Sequence, residues 1–111
     1  MITLERREID DALIHQIVNV IVARFNPQRI ILFGSRARNE ARFESDLDLF
    51  VEMDSDLNPR ARSSSIYAAF DDCDWPMDVL VYTPQEVNEL RGAFGTMLSI
   101  IESTGQVLYA R

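Results

Sequence analysis

Asp46 and Asp48 stand two residues apart in an apolar run, Asp-Leu-Asp-Leu-Phe-Val-Glu-Met, that ends at Met53. Side chains alternate faces along a strand, so the two carboxylates share one face while Leu47, Leu49 and Val51 point into a core. Spaced about 7 Å apart along the chain, they suit a pair of divalent ions. Ten residues earlier a first apolar run, Arg29 to Phe33, stops at Gly34-Ser35. A strand that ends in such a turn brings bare backbone against an anion: Gly34 offers no side chain to hold phosphate away, and Ser35 adds a hydroxyl and an N–H at the start of a helical turn predicted over Ser35 to Arg38. Arg36 and Arg38 bring positive charge. Hard oxygen ligands beside a phosphate site point to magnesium or manganese. Without metal the paired carboxylates repel, and at least one pKa should rise.

Asp78 is the one carboxylate in a third apolar run, Met77 to Tyr82. Such a residue is paired, next to a metal, or on an edge strand facing water. Beside the Asp46 and Asp48 strand, it can take the proton of an attacking hydroxyl and help hold the ion that activates it.

These residues resemble the signature of the polymerase-beta-type nucleotidyltransferases, and in particular the minimal nucleotidyltransferases. Their usual loop reads Gly-Ser-Arg-Ala-Arg-Gly; here it is Gly-Ser-Arg-Ala-Arg-Asn, with Asn39 in the last place. Asparagine is the residue next most tolerant of a left-handed turn, so the loop should survive the change. The likeness covers nearly the whole chain, from the first run through Asp78 to a closing segment, Glu102 to Tyr109. It implies a polymerase-beta-like nucleotidyltransferase fold, ATP as substrate, two magnesium ions, and transfer of AMP to a hydroxyl. Asp46, Asp48 and Asp78 would be catalytic and metal-holding, and Gly34, Ser35 and Arg36 phosphate-binding. It further implies a partner, since minimal nucleotidyltransferases are commonly antitoxins of small helical HEPN-domain ribonuclease toxins, some of which they neutralise by placing AMP on a tyrosine. A binding-only antitoxin and an enzyme acting on a small hydroxylated molecule are the alternatives.

Length and charge limit the choices independently. The 111 residues make one domain, 1–111, with room for a core. Eighteen acidic residues against eleven basic ones oppose contact with a nucleic-acid backbone, so a template-directed polymerase is not expected. Every basic residue is arginine, which removes catalytic-lysine chemistry. Cys73 is alone and forms no internal disulfide. Glu5, Arg6, Arg7 and Glu8 crowd the start, so neither a signal peptide nor a membrane span is expected, and the cytoplasm is the default compartment.

The elements that must position these residues follow from periodicity and caps. A helix is predicted from about Arg6 to Phe25, with Ile9, Leu13, Ile17, Val20, Ile21 and Arg24 at spacings of three and four, ended by Asn26-Pro27. His15, on this helix without a second ligand nearby, is given no function. Asn58 with Pro59 starts a helix to about Asp72, and the acids at Asp71, Asp72 and Asp74 read as a solvated turn. Thr83-Pro84-Gln85-Glu86 is a capping box that opens a helix to about Leu90. Another helix, about Thr96 to Ser103, should bury Met97, Leu98, Ile100 and Ile101. Gly105 closes it and Val107 to Tyr109 forms a last strand; Phe94 and Met97 suit the core or a partner surface, the core being the commoner place for such residues. The fold class is α/β in the broad sense, a small mixed sheet with the carboxylates on one face and helices covering the other.

Overall fold

In the computed structural model, residues 8–42, 45–71 and 73–111 are described. Eight elements follow in chain order: helix α1 (Asp11–Phe25), strands β1 (Arg29–Phe33) and β2 (Leu47–Glu52), helix α2 (Pro59–Tyr67), strand β3 (Met77–Tyr82), helices α3 (Pro84–Leu90) and α4 (Met97–Thr104), and strand β4 (Gln106–Ala110). The four strands form one mixed sheet in the order β3-β2-β1-β4. β1 runs antiparallel to β2 and β4, while β2 and β3 are parallel.

Alternation along the strands sorts the side chains onto two layers. Leu47, Leu49 and Val51 of β2 join Val79 and Val81 of β3 and Ile30 and Leu32 of β1 under Leu13, Ile17, Val18 and Ile21 of α1 and Ile66 of α2. This is the face that the sequence predicts to be covered. The carboxylate-bearing face is covered too, at the end away from Asp48: Ile31 and Phe50 pack against Val87 of α3 and Leu98 and Ile101 of α4. Arg29 ties α4 down. Its Nε donates to Glu52 at 2.6 Å, its other arm pairs with Glu102 at 2.8 Å, and its guanidinium carbon lies 5.5 Å from the Phe50 ring centroid.

Caps explain most of the element ends. Asn58 and Thr83 cap α2 and α3 as predicted, each with proline at the first helical position, and the Thr83 and Glu86 capping box is complete. Asn26 ends α1 in the left-handed conformation, φ 51°. The start of α1 differs from expectation: Glu8 to Asp10 are not helical, Arg6 lies outside the described residues, and Asp10 caps the helix by accepting from the Leu13 N–H at 2.8 Å. α2 stops at Tyr67, short of the predicted end, and hydrogen bonds from Ala69 to Ile66 and from Phe70 to Tyr67 tighten its exit; Asp72 is outside the described residues.

The assignment of α4 needs a larger correction. Leu98 and Ile101, three residues apart, are buried, whereas Met97 and Ile100 are more than half exposed and Phe94 is fully exposed. A helix of eight residues lying on one strand buries a single stripe. Met97 and Ile100 sit one position, about 100° of helix rotation, off that stripe.

Gly105 permits the close approach of α4 to β1. A Cβ there would stand 2.5 Å from Ile101 O, 2.5 Å from Ile31 Cγ2 and 2.9 Å from Leu32 O. Backbone and a fully packed side chain cannot yield cheaply, so Gly105→Ala should cost about 2 kcal/mol and lower the melting temperature by about 10 °C. A thermal melt within two degrees of wild type would show that the helix end can shift.

Candidate active site

The sheet register brings the three predicted carboxylates together. Asp48 lies opposite Phe33 on β1 and beside Asp78 on β3, and Asp46 precedes β2. One carboxylate oxygen from each of Asp46, Asp48 and Asp78 can be chosen so that all three lie within 4.8 Å of one another, the outer two exposed and Asp48 half-buried. This is the only such group of three ligand residues among those described. Three hard oxygen donors of like charge, converging at the end of a sheet, are a fitting set for a divalent cation.

Electrostatics agree with the expected repulsion. The Asp48 carboxyl is pushed above its ordinary 3.8, first by burial, then by Asp78 and then by Asp46; Arg36 and Arg38 offset part of this. The folded protein therefore holds the Asp48 proton longer than the unfolded chain does. Stability from this group is present below pH 3.8 and falls as pH rises through the raised value. In metal-free buffer, Asp48→Asn should gain on wild type over that window, reaching about 3 °C of melting temperature at neutral pH after allowance for solvent screening. Parallel melting curves from pH 3 to 7 (roughly, the range that spans carboxyl titration) would contradict this.

Gly34 has a positive φ of 76°, and a Cβ built on it would run into the Asp48 carboxylate, at Oδ2. The missing side chain thus first makes room for Asp48. Its role toward phosphate comes second. Beyond it, Ser35 to Asn39 form a tight turn in which Ser35 O accepts from the Arg38 and Glu40 N–H groups, 3.2 and 2.9 Å away, and Asn39 adopts φ 57°. This is the left-handed position that asparagine tolerates next best after glycine. Among the described residues, the N–H groups of Ser35, Arg36 and Ala37 have no acceptor, and successive free N–H groups in such a turn are what an anion needs.

Arg36 is engaged differently from the expectation placed on it. Its guanidinium donates to Ser45 O at 2.8 Å, Ile9 O at 3.4 Å and Arg42 O at 3.5 Å, fastening the turn to the entry of α1 and to the segment before Asp46. From there it reaches Asp48 through its field. Ala37 is buried and its carbonyl accepts from Gln106 Nε2 at 3.1 Å, so β4 also holds the turn.

Residues that steady Asp78 were not singled out from the sequence. β3 is a sheet edge, and α2 satisfies its outward backbone: Ser63 Oγ donates to Val79 O at 2.9 Å and Tyr67 OH accepts from the Val79 N–H at 2.9 Å. Buried Arg62 completes the clasp, donating to Leu57 O at 2.8 Å and pairing with Glu86 at 2.7 Å. The signal available was Ser63 and Tyr67, four apart on a helix of low hydrophobicity. His15 and Cys73 are exposed and take no part in these contacts.

No protein of curated function matches the chain. A solved structure from Sulfolobus solfataricus, which carries the provisional name of nucleotidyltransferase, superposes with a TM-score of 0.62 at 18% identity, over 90% of this chain and 79% of the other. At that identity the likeness speaks for the fold. Among the described residues no helix is long and apolar enough to cross a membrane. Residues 15–111 match the family model of the polymerase beta nucleotidyltransferases, and the chain belongs to that family.

Proposed function

We propose that this nucleotidyltransferase transfers AMP from ATP to a hydroxyl of a second protein, a tyrosine of a HEPN-type ribonuclease toxin, and thereby serves as its antitoxin. The observation that carries a macromolecular acceptor is exposure: Asp46 and Asp78 face solvent at the end of an open sheet, where a hydroxyl attached to a large body can reach them. A net charge of −7 disfavours nucleic acid as that body.

In this reading the backbone N–H groups of Ser35 to Ala37 hold the terminal phosphates, with Arg36 and Arg38 contributing positive potential. Asp46, Asp48 and Asp78 would hold magnesium, two ions in the full site, which supplies charge neutralisation at the triphosphate and acidifies the acceptor hydroxyl. Asp78 takes the proton of that hydroxyl. The hydroxyl oxygen bonds to the α-phosphorus from the side opposite the leaving oxygen, and the bond to the bridging oxygen breaks, releasing pyrophosphate with the electron pair.

The test is transfer of label from α-phosphate-labelled ATP, with magnesium, into proteins of a lysate of the source cells, with Asp46→Asn/Asp48→Asn as control. A labelled band present only with wild type supports the reading and gives the acceptor's mass. No band with any of the four nucleotides, together with retained capture of a partner, would replace it by a binding antitoxin. Label appearing only in small molecules would point to an enzyme for a small hydroxylated acceptor.

A further inference from the structure

Across the sheet, the Gly34 turn lies at the end of β1, Asp48 on β2 and Asp78 on β3. In-line displacement places the attacking and leaving oxygens on opposite sides of the phosphorus. If pyrophosphate leaves on the Gly34 side, the acceptor comes from the β3 side. That side is already shaped. Leu80 and Tyr82 follow Asp78 on the same face, the first about 7 Å along the strand, and with Leu90 they floor a cavity of about 610 Å³ between α2 and α3, walled by Arg60 and Glu89. An adjoining hollow of about 590 Å³ shares Glu89 and adds Asp54 and Asp56. The nearby Glu86 carboxylate is already paired with Arg62, which leaves Asp54, Asp56 and Glu89 against Arg60 alone and the two hollows net negative.

Resting on the acceptor being a protein, we propose that this cavity is the acceptor-docking site, taking a segment in which an apolar side chain and then basic residues follow the modified hydroxyl. The apolar side chain fills the floor beside Leu80 and Leu90, and the basic ones meet Asp54, Asp56 and Glu89 in the second hollow. Continuity with Asp78 fixes the order. The segment docks by its side chains rather than as an added strand, because Ser63 and Tyr67 already bond the outward N–H and carbonyl of Val79.

Three fluorescein-labelled peptides test this by anisotropy: one with tyrosine, glycine, leucine and two arginines in that order, one with serine for the leucine, and one with glutamates for the arginines. The first should bind at least about tenfold more tightly than the others. Glu89→Arg, on the exposed rim, and Leu90→Gln, checked for an intact melt, should each erase most of that advantage while leaving binding of a fluorescent ATP analogue unchanged. Equal binding of the three peptides, or full affinity in both folded variants, overturns the proposal. Loss of the ATP analogue in those variants would make the cavity a nucleobase site instead. A chain that binds the first peptide selectively but labels no protein keeps the cavity and loses the transferase reading. Label transfer that is indifferent to both substitutions does the reverse.

Discussion

Asp48→Asn should reduce nucleotidyl transfer by at least about a thousandfold while the protein stays folded and, without metal, melts slightly higher than wild type. Asp48 is the half-buried centre of the triad, with Asp78 and Asp46 both raising its pKa and Gly34 backbone against its carboxylate. Neutralising it relieves the burial of a charge and its repulsion by Asp78 and Asp46, and also removes the middle ligand of the set. The two effects separate when magnesium is added. Ligand that binds only the native state stabilises it by RT ln(1 + [L]/Kd), so wild type should gain melting temperature with magnesium and Asp48→Asn should not. The order of stabilities therefore reverses as metal is titrated in. Equal magnesium shifts in the two proteins, or a variant retaining a tenth of the activity, would remove Asp48 from the metal site.

Much of this site can be read from the chain because its determinants are local. Gly34-Ser35, Asp46 with Asp48, Asn58-Pro59 and the Thr83 to Glu86 box each work over four residues or fewer, and each fixes a turn, a face or a helix start within that span. The nearness of Asp78 to Asp48 was less direct. It needs the parallel register of β2 and β3, which no short pattern encodes, and only family resemblance and the burial cost of a lone carboxylate point to it. Where contacts span longer separations, the sequence misled or said nothing. Arg36 reads as a phosphate ligand by its place after Gly34-Ser35, yet its partners are carbonyls as far away as Ile9. Ser63 and Tyr67 read only as residues of a helix until β3 lies beside them. Met97 and Ile100 look like core because apolar spacing alone cannot say how many sides of a short helix find a neighbour.

Gly34→Ala separates two reasons for a glycine at the end of β1. Holding φ 76° with a side chain costs about 1 kcal/mol, and the added Cβ meets the end of the Asp48 side chain rather than backbone. Asp48 is half-buried and can swing aside, so folding should survive with a loss of roughly 1–2 kcal/mol. The site should not survive. A rotated Asp48 carboxylate leaves the position from which it reaches Asp46 and Asp78, and affinity for manganese alone, with no nucleotide present, should fall about tenfold or more. Activity should fall further, about a hundredfold, since misplaced ligands also misplace the phosphate. Had glycine been needed only to let phosphate approach, manganese binding without nucleotide would be unchanged and only the KM for ATP would rise. Manganese titration by electron paramagnetic resonance, run beside a thermal melt, distinguishes the two: weakened metal binding in a folded Gly34→Ala protein assigns the glycine to Asp48, and unchanged metal binding assigns it to the phosphates.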